Sequence, residues 1–200
     1  MSSELEAKFK VDTHDAIRAA LASAGAQRVH RVLETNHILD AQDGSLRRAG
    51  AALRVRHRLN LDTNDEDVIL TFKGPIEKSQ FKKREERETS VDNADAILAI
   101  LDGVGFVPIL VFEKLRESWQ FNDCTVELDE VPHFGHFVEI EGPTESAIET
   151  ARRRLGLTAV EPHRETYVGM LMRYCSDNGI ADRQVRFPES RRPLNETSPG

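Results

Sequence analysis

The chain contains little cysteine and no hydrophobic run long enough to cross a membrane. Its two cysteines, Cys124 and Cys175, stand far apart in 200 residues and lack the spacing of metal ligands. Such sparse use of cysteine favours a reducing compartment over a disulfide-stabilised secreted domain. The N-terminus shows no signal-peptide pattern, and no segment reaches the length of a membrane span. We therefore expect a cytoplasmic protein that does not enter a membrane.

Basic residues are not in surplus, and a glycine-rich phosphate loop is absent. The 27 lysines and arginines are outnumbered by 34 aspartates and glutamates, which gives a formal net charge of −7. A general nucleic-acid-binding protein would instead carry a basic surface. No Walker-type sequence occurs, so side chains rather than a backbone cradle would have to hold a phosphate group. The basic residues must therefore act locally.

Charged side chains do occur in a regular pattern, at every second position of six short segments. Residues two apart on a β-strand share one face, so each segment would project a row of charge from one side of a sheet. A half-exposed sheet would explain this alternation, but not why carboxylates and cations largely fall on separate strands. The rows are Glu4, Glu6 and Lys8; Arg54, Arg56 and Arg58; Arg84, Glu86 and Glu88; Lys114 and Arg116; Glu127 and Asp129; Glu139 and Glu141.

Helices and strands follow one another in an order typical of an α+β domain. Apolar periodicity and capping residues predict helices over residues 13–24, 93–104, 144–155 and 164–174. The extended segments between them favour a closed eight-stranded antiparallel β-barrel with the helices packed outside. Residues 1–175 would form this domain. Residues 176–200 are rich in polar residues and proline, and they are predicted to be a disordered tail.

Rows of acids and bases that face one cavity would suit a metal-bound polyphosphate. Unpaired charges in a dry cavity are costly, so groups at this density must be hydrated, paired or ligated. Carboxylate oxygens bind hard cations such as Mg²⁺ or Mn²⁺, whereas Lys and Arg bind phosphate oxygens. The pattern therefore predicts a site for a small-molecule triphosphate, with Mg²⁺ or Mn²⁺ as cofactor.

Short motifs carrying these charges run in order along roughly residues 3–173. They are E-L-E-A-K at 4–8, N-H-I-L-D ending at Asp40, A-L-R-V-R at 52–56, L-T-F-K-G-P at 70–75, R-E-E-R-E at 84–88, F-E-K-L-R at 112–116, V-E-L-D at 126–129, G-H-F-V-E-I-E-G at 135–142 and E-T-Y-V-G-M-L at 165–171. Together they resemble the CYTH superfamily, the triphosphate tunnel metalloenzymes, whose ExExK signature matches the first motif. One departure is Ile38-Leu39, where many members carry aromatic residues.

This resemblance implies an eight-stranded antiparallel tunnel and a role for each charged row. The implied metal ligands are Glu4, Glu6, Glu86, Glu127, Asp129, Glu139 and Glu141. The side chains implied to bind the triphosphate are Lys8, Arg54, Arg56, Lys73, Arg84, Lys114 and Arg116, of which Lys8, Lys73, Lys114 and Arg116 would act in catalysis.

The superfamily includes triphosphatases and class IV adenylate cyclases, so the resemblance leaves two reactions open. We expect a divalent-metal-dependent enzyme that hydrolyses inorganic triphosphate or an organic triphosphate such as ATP or thiamine triphosphate. The alternative is a class IV adenylate cyclase, which converts ATP to cyclic AMP and pyrophosphate. A non-catalytic polyphosphate-binding module is disfavoured, because it would not need paired carboxylates on two separate strands. A homodimer is compatible with each of these functions.

Some charged and imidazole side chains have simpler interpretations. Arg58 and Glu88 stand at the ends of their rows and are equally well explained as salt bridges at the rim. His133 and His136 fit a turn better than a metal site, because the hard cation that carboxylates select prefers oxygen over imidazole.

Overall fold

The chain folds into one sheet with helices packed against it. This computed structural model describes the backbone of residues 2–75 and 82–191 and the side chains of residues 5–75 and 84–191. The strands are β1 (Ser2–Val11), β2 (Gln27–Ala41), β3 (Ala52–Asn60), β4 (Glu66–Lys73), β5 (Lys82–Val91), β6 (Phe106–Phe121), β7 (Cys124–Val131), β8 (Gly135–Glu141) and β9 (Gln184–Val185). The helices are α1 (Asp15–Ser23), α2 (Ser45–Arg48), α3 (Ala94–Gly103), α4 (Glu145–Arg154) and α5 (Tyr167–Asp177), and a 3₁₀ turn follows at Glu189–Arg191.

The strands are ordered β2-β3-β4-β5-β1-β8-β7-β6-β9, and β2 also pairs with β6. Every pairing is antiparallel except that of β6 with the short strand β9. The β2–β6 pairing extends from Gln27↔Gln120 to Ala41↔Phe106 and has a register shift near each end. The predicted α+β class, an antiparallel sheet with helices, is confirmed.

Apolar side chains on the outer face of the sheet pack beneath the helices. Phe9 and Ile140 are fully buried in a cluster that includes Ile17 from α1 and Ile148 from α4. Burying a side chain of this size contributes about 1.5–3 kcal/mol. Because successive side chains alternate between faces, covering the apolar face directs the charged rows to the opposite face.

Two further apolar clusters secure the remaining helices. Met170 and Leu171 of α5 pack with Leu110 and Phe112 of β6. Helix α3 is held more loosely, because it has no fully buried side chain and packs Leu101 beside Val55 of β3. Helix α3 therefore covers part of the outer face. Helix α5 instead packs at one end of the charged face, because Phe112 shares its strand face with Lys114 and Arg116. The prediction that all helices pack outside is wrong for α5.

The sequence located the four longer helices to within a few residues. The side chains of Asn93, Thr144 and Thr166 accept hydrogen bonds from backbone N–H groups in the first turns of α3, α4 and α5, as N-cap residues do. Helix α5 begins at Tyr167 rather than at residue 164 and continues to Asp177. The short helix α2 is an additional element, because the sequence predicted only the four longer helices.

The prediction of a disordered tail from residue 176 is wrong for residues 176–191. Strand β9 pairs with Val111 and Phe112 of β6, and Val185 and Phe187 are buried. The backbone N–H of Phe187 donates to a carboxylate oxygen of Glu113 at 2.8 Å. The buried side chains of Val185 and Phe187 thus hold this otherwise polar segment against the sheet. Residues 192–200 lie outside the described residues.

Both cysteines are buried free thiols, as sparse cysteine use suggested. His133 adopts a left-handed backbone conformation, φ 67°, between β7 and β8, which agrees with its interpretation as a turn residue. The same interpretation is wrong for His136, which lies in β8 and pairs with Glu130 of β7. Across the described part of the chain, we find no helix with the length and apolar character of a membrane span.

Candidate active site

A cavity of about 1010 Å³ lies on the charged face of the sheet, and residues of all eight strands from β1 to β8 line it. The predicted site residues in its lining are Glu6, Arg54, Arg56, Lys73, Arg84, Glu86, Lys114, Arg116, Glu127, Glu139 and Glu141. Lys8 and Asp129 are instead buried next to it, and Glu4 falls outside the side chains that the structure describes. The structure thus brings most of the predicted residues together, while their chemical roles stay predictions.

One side of the cavity is built from β3, β4 and β5, where cations alternate with carboxylates. The Lys73 ammonium lies 2.7 Å from the Glu86 carboxylate, and Arg54 lies 3.8 Å from the same group. Arg54 also reaches Glu88 at 3.4 Å. Burial and the neighbouring Arg56 lower the pKa of Arg54 to about 10. Arg54 is therefore a cation that a bound anion would stabilise.

Glu34 of β2 is a fully buried carboxylate in the middle of the basic side chains. Its oxygens lie 3.2 Å from Arg56, 3.4 Å from Lys114 and 4.0 Å from Arg116. Burial alone raises the pKa of Glu34, but the three cations outweigh burial and hold that pKa well below its ordinary value. Glu34 is thus an internal counter-ion that holds three cations at the cavity wall.

Asp129 of β7 is completely enclosed by donors. Arg116 donates to both of its oxygens at 2.7 Å, Lys114 donates at 3.1 Å, and the Tyr167 hydroxyl donates at 2.9 Å. Burial disfavours the charge, yet Arg116 and Lys114 prevail and lower the pKa of Asp129. In this arrangement Asp129 binds cations of the protein, and a metal ion would have to displace them to reach it.

Lys8 is held by the start of α5. Its ammonium contacts the backbone carbonyl of Glu165 and lies 4.1 Å from the centre of the Tyr167 ring, with Lys114 at 5.2 Å from the same ring. Burial, followed by the charges of Asp129 and Glu139, raises the pKa of Tyr167 well above its ordinary value. Tyr167 therefore stays a neutral hydrogen-bond donor and a ring surface for two lysines.

The carboxylates of β1, β7 and β8 form the opposite side. Glu6 pairs in register with Glu141, and Glu127 pairs in register with Glu139. Like charges directly opposite each other destabilise a sheet unless a cation lies between them. In the part of the chain that the structure describes, no group of three or more His, Cys, Asp or Glu side chains is already arranged to hold a metal ion. The donor chemistry nevertheless fits a hard cation, because every cavity-lining acid here supplies carboxylate oxygens.

Residues 2–161 of the chain match the family model of the CYTH domain. The chain belongs to the CYTH domain family. The resemblance stated from the sequence motifs is thereby confirmed.

Three individual proteins are similar to this chain in sequence or in structure. A curated protein of Methanocaldococcus jannaschii, named "Putative adenylate cyclase MJ0240", is 26% identical over 138 residues, which are 69% of this chain and 75% of that protein. The solved structure of PH1819 from Pyrococcus horikoshii OT3 has a TM-score of 0.74 and 26% identity, and the match covers 86% of this chain and 99% of that one. HpAC1 from Hippeastrum, a structure described as revealing a dominant triphosphatase activity, has a TM-score of 0.64 and 19% identity, covering 86% and 95% of the two chains.

The rim of the CYTH cavity is closed by ordinary surface salt bridges. Arg58 pairs with Asp67, with N–O distances of 2.7 and 2.5 Å, as its position at the end of a row suggested. Glu88 is 45% exposed and accepts a hydrogen bond from Thr71 at 2.7 Å. Both are therefore better assigned to the border of the site than to its centre.

One end of the CYTH cavity is apolar. Ile38, Ile109 and Phe112 line it together with Val168 and Met172 of α5. At this end the cavity wall offers dispersion contacts rather than charge.

Two important residues of the site were missed from the sequence. Glu34 stands two positions before the segment that begins at Asn36, so the alternating pattern continued upstream and could have been followed to Glu34. Tyr167 lies within a matching motif, but it begins a helix far along the chain, and no local pattern shows that it contacts Asp129 and Lys8.

Proposed function

We propose that this protein is a divalent-metal-dependent enzyme that acts on triphosphates, with hydrolysis of inorganic triphosphate or an organic triphosphate as the principal reaction. The observation that carries the proposal is one cavity with cations of β3, β4 and β6 on one wall and carboxylates of β1, β7 and β8 on the other. A polyphosphate bound to a cation has matching charges for both walls. Membership of the CYTH family supports this reading.

We also infer that the sheet closes into a barrel around this cavity. The eight long strands can be followed from β2 through β3, β4, β5, β1, β8, β7 and β6, and the β6–β2 pairing returns to the first strand. Closure removes the unpaired edges of a sheet and encloses one face. This inference accounts for so many charged side chains being buried while they face a cavity.

The residues present fit a Mg²⁺ or Mn²⁺ ion on the acidic wall. Glu6, Glu139 and Glu141 lie on neighbouring strands, and Glu127 lies opposite Glu139. Glu86 is tied to Lys73 on the basic wall, which favours a supporting role for it. A divalent ion bound here would supply electrostatic stabilisation for charge on phosphate oxygens.

The protein's own side chains would position the polyphosphate and stabilise the transferring group. Arg54, Arg56, Lys73 and Lys114 offer guanidinium and ammonium donors at the cavity wall. Phosphoryl transfer places little covalent demand on a protein, so positioning and charge stabilisation provide most of the catalysis. Removing a cation that contacts the transferring group should therefore lower kcat as well as affinity.

A class IV adenylate cyclase is the second candidate, and the apolar end of the cavity is the observation that favours it. The surface beside Lys114 is formed by Phe112, Val168 and Met172, and an adenine ring could contact it. Inorganic triphosphate has no organic group that could make this contact. The name of the Methanocaldococcus jannaschii relative points the same way. The same surface would equally accept the organic part of another triphosphate.

One assay separates these reactions. Purified full chain is incubated with ATP, inorganic triphosphate or thiamine triphosphate, with Mg²⁺, Mn²⁺ or a chelator, and both orthophosphate and cyclic AMP are measured. We expect metal-dependent release of orthophosphate. Formation of cyclic AMP with pyrophosphate would instead identify a cyclase. Binding of a triphosphate without turnover would identify a binding module.

A matched pair of variants ties the activity to the cavity. Glu86→Gln removes a cavity-lining charge, whereas Glu85→Gln changes the neighbouring residue, which points away and binds Arg87. Only the first should lower turnover. Equal losses in both would separate the reaction from this cavity.

A further inference from the structure

Arg116 has an unusual set of partners for a residue expected to bind phosphate. Its guanidinium lies 2.7 Å from Asp129 and 2.5 Å from Glu139, and it lies 3.8 Å from Glu127. These carboxylates come from β7 and β8, the strands of the acidic wall. Arg116 itself belongs to the strand β6, which pairs with β7, and its guanidinium extends toward these carboxylates.

The Arg116 guanidinium lies beside two carboxylates that would otherwise repel each other across neighbouring strands. Glu127 and Glu139 are direct cross-strand neighbours, and Glu139 is almost fully buried. Two such carboxylates need a cation between them. Arg116 supplies it through one Glu139 oxygen, Oε2, so a divalent ion bound to this carboxylate would meet the positive charge of the guanidinium there.

The neighbouring cations do not share this property. Lys114 pairs with Glu34 and Asp129, and Arg56 pairs with Glu34. In the described part of the chain, neither forms an ion pair with Glu139, so of these three cations only Arg116 competes for that carboxylate. Arg116 also lines the cavity, which places it within reach of an anion bound there.

We propose that Arg116 competes with a divalent cation for Glu139, so that a polyphosphate that draws Arg116 away makes this carboxylate available to the cation. The proposal rests on the proposed function for the identity of the two ligands. Each ligand then favours the other through one side chain, in addition to any direct attraction between them. Thermodynamic linkage requires this coupling to be reciprocal.

The first test measures Mn²⁺ binding by calorimetry in the absence of any phosphate compound. Arg116→Gln should bind Mn²⁺ about tenfold more tightly than the natural protein, within the usual range of site–site coupling. Arg56→Gln removes the same charge from the same cavity without freeing Glu139, so it should change the dissociation constant by no more than about twofold. Equal effects in both variants would reduce the result to overall charge and overturn the proposal.

A double-mutant cycle makes the assignment specific. In a Glu139→Gln background the carboxylate is absent, so Arg116→Gln should no longer tighten Mn²⁺ binding. If the tightening persists, Glu139 is not the shared ligand and the proposal fails. Should Arg116→Gln fold poorly, Arg116→Lys keeps the charge but loses the two-pronged contact, and it should tighten Mn²⁺ binding to a smaller extent.

The second test measures inorganic triphosphate binding with a chelator present. Arg116→Gln should weaken this binding about tenfold, opposite in sign to its effect on Mn²⁺. Unchanged triphosphate binding would show that the anion does not draw on Arg116, and it would overturn the coupling. A natural protein that binds neither ligand would overturn the proposed function, whereas one that binds both but fails the Mn²⁺ comparison would overturn only the role of Arg116.

Discussion

Replacing Glu34 by glutamine should destabilise the free protein and, at the same time, tighten its binding of polyphosphate. The carboxylate is fully buried and lies within 4.0 Å of Arg56, Lys114 and Arg116. Glutamine keeps the size of the side chain and removes only the charge. The variant therefore leaves three cations at the cavity wall with one counter-ion fewer.

The expected magnitude follows from these distances. At an effective dielectric constant of about 20, each pair separated by 3.2–4.0 Å corresponds to about 4–5 kcal/mol of gross attraction. Most of that is offset by the cost of taking the carboxylate out of water. Breaking a buried ion pair by removing one partner typically costs about 3–5 kcal/mol, so we expect the free energy of unfolding to fall by about that amount.

The stability that Glu34 contributes should also depend on pH. The cations hold the pKa of Glu34 below its ordinary value of 4.5 in the folded protein. The stabilisation is therefore fully present above pH 4.5 and is lost as the pH falls through the lower pKa of the folded state. The difference in stability between the natural protein and Glu34→Gln should be constant near neutral pH and shrink in acid.

Urea unfolding followed by circular dichroism, with and without inorganic triphosphate, measures both effects. The anion should stabilise Glu34→Gln more than the natural protein, because it replaces the missing negative charge. Thr35→Ala, on the same strand but facing away from the cavity, serves as a control. Equal stability of Glu34→Gln and the natural protein, or weaker anion binding by the variant, would refute the assignment of Glu34 as an internal counter-ion.

Three other outcomes are expected. Glu6→Gln and Glu139→Gln should abolish metal-dependent turnover while circular dichroism shows the fold intact; normal activity at matched Mg²⁺ would remove these residues from the metal role. Lys114→Ala should raise KM and lower kcat in steady-state assays, and an unchanged profile would show that Lys114 does not touch the phosphates. Phe187→Ala should lower the free energy of unfolding in urea by about 3–5 kcal/mol, because its side chain is buried; a loss below about 1 kcal/mol would show that this segment contributes little to stability.

The charged rows could be predicted because the period of a strand is strict. Alternation assigns Arg54 and Arg56 to one face and Val55 to the other without any knowledge of the neighbouring strands. The helix caps Asn93 and Thr144 are equally local, because each satisfies backbone donors within the next three residues. Such features need only the sequence around them.

Features that depend on distant partners could not be predicted in this way. Asp129 has the sequence pattern of a metal ligand, yet Arg116, Lys114 and Tyr167 enclose it. The polar composition after residue 176 predicts disorder, whereas Phe187 finds a partner in Glu113 of β6. In both cases the deciding contact joins elements that are far apart in the sequence, and composition carries no information about it.

The placement of the first strand has a consequence for how the chain folds during synthesis. Strand β1 lies between β5 and β8, so its second neighbour is synthesised only after strands β2 to β7. Until then, Phe9 and the other apolar side chains of β1 lack the surface that buries them in the finished protein. Pairings between distant segments form slowly and leave strand edges exposed. Strand β1 is therefore a segment that needs protection from aggregation during synthesis, and a chain halted before β8 should be recognised by chaperones.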